Sequence, residues 1–543
     1  MSETLVIYDT TLRDGNQSEG ISYSAEDKIR IAERLDDFGV DYIEGGWPGS
    51  NPKDMEFFYR AQSMNWKHTK ITAFGSTRRK DRHVSEDQNI RLLLEANTPV
   101  VTIFGKSWDL HVTEGLRTTL DVNLELIYDS VAYLKKQGKE VIYDAEHFFD
   151  GFVANPDYAL KTLKSAADAG ADCLVLCDTN GGVLPHKIVE MIEAVQNANL
   201  GVPLGIHAHN DCDLAVANSL AAIRNGVYHV QGTINGYGER CGNANLCSII
   251  PNAALKCESA TLLPHVKLHD LTTLSRFVSE IANLTHREES PFVGNSAFAH
   301  KGGIHVSAIR RNRLTYEHID PTLVGNHQRV LVSDQSGQSN ILQKAEEMGH
   351  DLSAHKEELT TIVNRLKELE HLGYQFEDAD GSFEVLIHKV TGNFQDFFEL
   401  KNARVVIFKY EEGHLHSEAV LMISVNGNIQ HTVAEGHGPV DALDKALRKA
   451  LDPFYPSLKD IKLVDYKVRV LDSREGTEAK VRVSIESDDG KLKWGTVGVS
   501  ENIIEASWQA LVDRINYKLM RETLNGRQNN TPTANLKEKA PSY

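Results

Sequence analysis

Residues 202–211 read VPLGIHAHND, a short apolar, β-prone run that breaks into polar residues. On a strand, alternate side chains share a face, so His207 and His209 point the same way while Ala208 points away. The same unit, an apolar run ending in polar or glycine residues and followed by a helical pattern, recurs through the first half of the chain. The runs are LVIYDTT (5–11), DYIEGGW (41–47), KITAFGS (70–76), PVVTIFG (99–105), KEVIYDAEH (139–147), ADCLVLCDTN (171–180), VPLGIHAH (202–209) and YHVQGTIN (228–235). Their spacing of roughly 25 to 40 residues is the length of a βα unit. Amphipathic segments lie between them, such as SAEDKIRIAERLDDFG (24–39), with Ser24 as a plausible N-cap and Gly39 as a C-terminal stop. Eight such units over about 250 residues predict a (β/α)₈ TIM barrel. The structural alternative is a doubly wound open sheet, weakened because no GxGxxG follows the first run.

The rhythm changes after about residue 270. Two segments, HDLTTLSRFVSEIANL (269–284) and SAHKEELTTIVNRLKELEHLG (353–373), read as helices. Between them lies an irregular, charged stretch, NSAFAHKGGIHVSAIRRNRLTYEHIDP (295–321). From about 384 strands return as a weak internal repeat. VVIFKY, EAVLMISV and NIQHTVAEG precede the helix PVDALDKALRKAL; YKVRVLD, AKVRVSIES and LKWGTVGVS precede NIIEASWQALVDRINYKL. Two βββα units suggest a small α+β domain with pseudo-symmetry. The expected organisation is a barrel over 1–270, helical linker subdomains over 271–383, an α+β domain over 384–524 and a disordered tail over 525–543.

A chain of 543 residues exceeds one ordinary core, which agrees with several domains. Hydrophobic content of 41% and charged content of 25% indicate a soluble globular protein. A formal net charge of -18 argues against a nucleic-acid surface. No stretch approaches the roughly 20 apolar residues of a membrane span. The first residues enter a strand without a basic segment or a cleavable apolar one, so a cytoplasmic location is expected. The six cysteines show no zinc-knuckle spacing; Cys173 and Cys177 read as small core hydrophobes, and Cys241 has no obvious base beside it.

In a TIM barrel, chemistry collects at the C-terminal strand ends. Those ends carry Arg13 and Asp14, Glu44 and Trp47, Ser76, Lys106, Glu146 and His147, Thr179 and Asn180, His207 and His209, and Asn235 with the loop GYGERCGNAN. Taken alone, HAH is equally well two structural histidines at a strand end. With Asp14 and the amide of Asn243 it makes an N/O set suited to a magnesium-, manganese- or zinc-type ion. An α-keto acid can chelate such an ion, which then polarises the ketone. Arg13 is placed to stabilise a developing alkoxide; its bland alternative is a strand-end salt bridge.

DTTLRDGNQ (9–17), HAHND (207–211) and NGYGERCGNANL (235–246) resemble the signatures of the 2-isopropylmalate, homocitrate and citramalate synthase family, metal-dependent enzymes whose barrel carries an Asp-Arg-Glu-like triad. GIHVSAI (303–309) is similar to the family's linker subdomain and the βββα repeat to its allosteric domain, so the resemblance covers nearly the whole chain. It implies Arg13 as the catalytic arginine, Asp14, His207 and His209 as metal ligands, and Asn243 as the loop asparagine near the metal. It further implies Glu146 beside the keto acid and acetyl group, Thr179 on the keto-acid carboxylate, and His305 and Tyr316 completing the site, usually from the partner subunit of a homodimer. Ser307 stands where some relatives have Asp, which touches the acid–base details around His305.

The implied chemistry is a Claisen-type condensation with acetyl-CoA as co-substrate, with His305 or Glu146 taking the methyl proton. GGWPGSNPKD (45–54) and FGKSW (104–108), with Trp47 and Lys106, resemble the branch that uses pyruvate. A bulky Trp47 wall favours pyruvate over 2-ketoisovalerate by steric exclusion. The clusters Arg78-Arg79-Lys80 and Arg310-Arg311 with Arg313 are candidates for the CoA phosphates, or else solvated loops. The C-terminal repeat implies an amino-acid effector, isoleucine for a pyruvate-using enzyme. The rivals are a lyase or homocitrate synthase of the same fold and an inactive barrel that binds metabolites.

Overall fold

All eight runs form strands of one closed parallel barrel. The computed structural model describes residues 3–409, 414–471 and 479–529. The barrel strands are β1 (Val6–Asp9), β2 (Tyr42–Gly46), β3 (Lys70–Ser76), β4 (Val100–Lys106), β5 (Glu140–Glu146), β6 (Cys173–Asp178), β7 (Leu204–Ala208) and β8 (His229–Gly232), paired in chain order with β8 closing on β1. Period-two alternation assigns the faces. Cys173, Val175 and Cys177 of β6 fill the barrel with Tyr8, Val100 and Ile142. Leu174 and Leu176 join the helices outside. Burial pushes the thiols of Cys173 and Cys177 up, as fits core residues. Farther along four of the strands, β4, β5, β7 and β8, the inward positions turn polar at Thr102, Asp144, His207 and Gln231.

The helix Ala25–Phe38 begins and ends where its sequence says. Ser24 accepts from the Asp27 amide and Asp27 accepts in return, a capping box, and Gly39 takes the left-handed conformation at φ 102°. This helix also braces the end of β2. Lys28 is buried, donates to the Gly45 carbonyl at 2.9 Å and pairs with Asp54 at 2.5 Å. The second oxygen of Asp54 accepts from the Trp47 amide at 2.9 Å, so one buried ion pair positions the start of the loop that carries Trp47.

The chain forms two compact units. The first comprises Met1–Phe298 and His318–Gln328. The helix Leu271–Ile281, expected in the linker, contributes Leu271, Leu274 and Val278 to the core around the barrel. The second comprises Ala299–Glu317 and the chain from Arg329 onward. Within it the stretch expected as irregular contains a helix, Gly303–Arg311, started by consecutive glycines and anchored by buried Val306 and Ile309.

Farther on stand two three-stranded antiparallel sheets: β9 (Glu399–Lys409), β10 (Leu415–Val425) and β11 (Asn428–Gly436), then β12 (Lys462–Val470), β13 (Val481–Asp488) and β14 (Lys493–Ser500). Each is followed by one helix, Pro439–Leu451 or Ile503–Asn529. The repeat extends to irregularities: β9 shifts register between Leu400 and Asn402, and β12 between Leu463 and Asp465. Leu421 and Ile423, Val483 and Ile485, and Leu447 and Leu511 share one core, so neither half buries its apolar face alone. The final helix continues to Asn529, into the stretch expected as a tail; 530–543 lie outside the described residues. Among the described residues no helix is long and apolar enough to cross a membrane.

Replacing Lys28 by Met keeps its volume but leaves Asp54 buried without its cation. Stability should fall by about 3–5 kcal/mol, measured by denaturant unfolding. A loss below ~1 kcal/mol would show that the pair does not brace this end of the barrel.

Candidate metal centre and active site

The site starts at a single carbonyl. The amides of Arg13, Asp14 and Gly15 all donate to Thr10 O, at 3.1, 2.9 and 3.1 Å, turning the chain over the end of β1. This turn sends Asp14 toward β7. Its Oδ2 lies 3.3 Å from His207 Nε2, which is 3.4 Å from His209 Nε2. One donor atom from each of the three residues lies within 4.8 Å of the others, and all three residues are buried. The two imidazoles do share a face, as period two requires.

A second set of contacts orients the rings. His207 Nδ1 is 2.8 Å from Gln231 Oε1, and Gln231 Nε2 donates to Asp144 Oδ1 at 3.1 Å. An amide oxygen can only accept, so Nδ1 carries the proton and Nε2 is turned to Asp14. Burial would lower the His207 pKa, but the hydrogen bond and charge of Asp14 raise it overall. For Asp14 itself burial opposes ionisation, yet Arg13 and His207 hold the carboxyl well below the usual range. His209 is pushed down to about 4 by burial and then by the neighbouring His207, so near neutral pH it is an uncharged ring.

Two buried atoms beside this cluster have no hydrogen-bond partner among the described residues: His209 Nδ1 and Asn243 Oδ1. An unpaired buried polar atom costs roughly 1–3 kcal/mol. A cation among Asp14, His207, His209 and Asn243 would supply the amide oxygen with a partner, so the donor set fits a divalent ion. The loop that brings Asn243 here folds back on β7 through an isolated bridge from His209 to Asn243. Close approach needs glycine at 238, where a Cβ would stand 2.1 Å from Asn243 Nδ2. Asn235, at a strand end, is occupied structurally: its amide donates to Ser275 O and Ser279 Oγ.

Arg13 is held from three sides. Its Nε donates to Glu44 Oε1 at 2.5 Å, its Nη1 pairs with Asp14 at 3.1 Å, and its guanidinium carbon lies 3.7 Å over the Phe74 ring. Glu44, fully buried, also accepts from Thr10 Oγ1 at 2.7 Å and from the Tyr8 hydroxyl. Burial would lower the Arg13 pKa, but the charges of Asp14 and Glu44 outweigh it and keep the cation fixed.

Beside Arg13 opens a cavity of about 230 Å³, lined by Asp14, His207, His209, Trp47, Glu146 and Thr179 among others. One wall is aromatic. Trp47 stands edge-on to Phe74 and Phe104, at 5.9 and 5.7 Å between centroids, and its indole N–H is fixed on Asn89 at 2.8 Å. Thr179 Oγ1 accepts from the His147 amide at 2.9 Å, which leaves its own proton to give. Lys106 pairs with Glu146 rather than lining this cavity, and lines a neighbouring one of about 320 Å³ with Arg78–Lys80. Arg78 is engaged with Asp129 and Lys80 with the carbonyls of Leu116 and Arg117; Arg310 and Arg313 pair with Glu346 and Glu317. His305 and Tyr316 belong to the second unit, exposed, with ring centroids 4.2 Å apart.

Sequence reasoning passed over Asp144, Gln231, Phe74 and Phe104. Asp144 is pushed up to about 7 by burial and then by Glu44. The available signal was a lone polar residue at an inward position of an apolar run, in VIYDAE and HVQG.

Comparison with known proteins covers almost the whole chain. Residues 4–278 match the HMGL-like family, 292–373 the homocitrate synthase post-HMGL domain-like family, and 377–519 the LeuA allosteric (dimerisation) domain. The chain is 56% identical to the (R)-citramalate synthase of Aquifex aeolicus over 527 residues, 97% of this chain and 100% of that one. Identity to the (R)-citramalate synthase of Geobacter sulfurreducens is 57%, over 94% and 97% of the two chains. A 2-isopropylmalate synthase of Methanocaldococcus jannaschii is 32% identical over 95% and 94%.

His207→Ala should remove one divalent ion per chain from this centre, read by elemental analysis after dialysis. The affinity of the native protein should fall with pH below neutrality, because an ion must displace the proton that Asp14 stabilises on His207. Unchanged metal content in the variant would sink the assignment.

Proposed function

The chain belongs to the family of (R)-citramalate and 2-isopropylmalate synthases, and we infer that it is an acyltransferase joining acetyl-CoA to pyruvate to give (R)-citramalate and free CoA, on the way to isoleucine. The observation that carries this is the full-length identity to (R)-citramalate synthases of two organisms, 56% and 57%. The site is consistent with it: a small cavity with an aromatic wall beside a buried Asp-His-His group suits a short keto acid. Its volume is below the roughly 300 Å³ at which pockets for drug-sized ligands begin.

Asp14, His207 and His209, with Asn243 nearby, would hold a magnesium-, manganese- or zinc-type ion. Such an ion, when bound, supplies Lewis acidity toward a ketone. The remaining work falls to side chains. Thr179 offers its hydroxyl proton to the keto-acid carboxylate. Arg13, a cation with nowhere to move, faces the oxygen on which negative charge builds as the carbon–carbon bond forms. Glu146, with its charge partner Lys106, or His305 beside Tyr316, takes the methyl proton of acetyl-CoA. Water then cleaves the thioester and the thiol of CoA leaves. Trp47, braced by Phe74, Phe104 and Asn89, excludes branched keto acids.

Catalysis is assigned to 1–270, completion of the site to 271–383, and control to 384–524. The outer strands β9 and β12 leave Ile407, Phe408, Val468 and Val470 exposed, a surface suited to a homodimer. An isoleucine effector acting on this domain and a cytoplasmic location complete the proposal.

A panel of pyruvate, 2-ketoisovalerate and 2-ketoglutarate with acetyl-CoA, read by free thiol, tests the reaction. Pyruvate should give the highest kcat/KM; preference for either larger acid would overturn the reading in favour of an isopropylmalate or homocitrate synthase. Trp47→Ala should then raise the ratio of 2-ketoisovalerate to pyruvate turnover by about tenfold, the scale of one or two methylenes in an apolar pocket. An unchanged ratio means that the tryptophan wall does not select size.

A further inference from the structure

Away from the barrel, one other group of side chains has the disposition a cation requires. In the second unit, the helix Asp380–Val390 carries Glu384 and His388, four residues apart and therefore on one face. His350 comes to them from a helix end. The helix Gln338–Glu347 stops at left-handed Gly349, φ 87°, and the His350 amide donates back to Ala345 O at 2.8 Å. His350 Nε2 then lies 2.7 Å from Glu384 Oε1, and the two imidazoles meet edge to face at 4.7 Å. One donor atom from each of the three residues lies within 4.8 Å of the others.

What points to a ligand is His388. The residue is 5% exposed, and neither ring nitrogen has a hydrogen-bond partner among the described residues. A buried imidazole always has a lone pair or an N–H to satisfy on each nitrogen, so both left open is a cost that a bound species removes. Glu384, with no exposed side-chain area, is held by its other oxygen: Arg521 Nη2 pairs with Oε2 at 2.8 Å. Oε1 faces His350 Nε2, within the group that includes His388. His350, with its side chain 17% exposed, gives the route from solvent.

We propose that His350, Glu384 and His388 form a second divalent-metal site, distinct from the one at the barrel mouth. The Arg521 charge offsets that of Glu384, so the site offers two imidazoles and little net negative charge. That chemistry selects a first-row transition ion of the zinc or cobalt class over magnesium or calcium, which require several oxygen ligands. Water completes the coordination on the His350 side. The ion would fasten the turn at 349–350 to the helix Asp380–Val390 and, through Glu384 and Arg521, to the final helix, all within the second unit. It makes no contribution to the chemistry at Arg13 and Asp14.

The full-length chain with His207→Ala, which lacks a ligand of the barrel site, isolates the second one. Cobalt titration of that protein should show about one ion per chain with visible d–d absorption, and zinc should raise its Tm. Adding His388→Gln should abolish the absorption and the Tm shift. Adding the partly exposed His350→Gln, which circular dichroism should show to be folded, should weaken cobalt by on the order of tenfold or more. No cobalt bound to the His207→Ala protein, or equal binding after His350→Gln and His388→Gln, would overturn the site and leave buried water as the partner of His388.

Discussion

The barrel mouth is organised by one largely buried cation, Arg13, whose side chain is 13% exposed. Arg13 sits between Asp14 and Glu44, and neither carboxylate reaches bulk water. Burying three charges is expensive unless each finds partners. Glu44 takes three donors, from Tyr8, Thr10 and Arg13, all belonging to β1 or the turn after it. That concentration ties β2 to the first turn and fixes the guanidinium over Phe74. Asp14 is left with one oxygen shared between Arg13 and His207, so the placement of the Asp14, His207 and His209 cluster depends on the arginine as well. A lysine there would supply the charge without the fork that spans both carboxylates.

The barrel was legible because its strands are buried on both faces and so read as continuous apolar runs, cut off where side chains meet the mouth. The C-terminal repeat was legible for a different reason. Its strands alternate, with Ala419, Leu421 and Ile423 inward and their neighbours outward, and each half ends in an amphipathic helix. Less legible were elements held by tertiary contact. The helix Gly303–Arg311 opens on glycine and carries only two buried anchors, so its pattern is weak. The helix Leu271–Ile281 was visible as a helix, but nothing in its periodicity says that its apolar stripe faces the barrel. The final helix outruns its apolar pattern by the polar stretch NGRQN, from 525 to 529.

At the site, period two in HAH was sufficient to place both rings, and the strand-end repeat pointed to Asp14 and Asn243, to which the resemblance then gave roles. Asp144 and Gln231 stayed hidden because a single polar residue within an apolar strand carries no direction until the register is known. In the folded barrel, they sit side by side across the interior, where Gln231 passes the orientation of His207 to a carboxyl group. Trp47 was visible as bulk. Its rigidity was not, since that depends on Asn89, Phe74 and Phe104, which are brought from two other strands and a helix.

The two His-His-carboxylate groups differ in how the carboxylate is balanced, and this difference sets what each is suited to do. At the mouth, Asp14 faces an arginine that is itself shared with Glu44, so two negative groups stand against one guanidinium and a net negative charge remains to attract an ion. In the second unit, Glu384 faces Arg521 alone, and the local charge cancels before any ion arrives. The first arrangement would attract a cation and partly neutralise it, with the Arg13 charge still beside it to meet an anionic ligand. In the second, on the proposal above, imidazole nitrogens would do most of the holding. The first group is buried but lines a cavity beside Trp47, whereas the second meets solvent through the partly exposed His350.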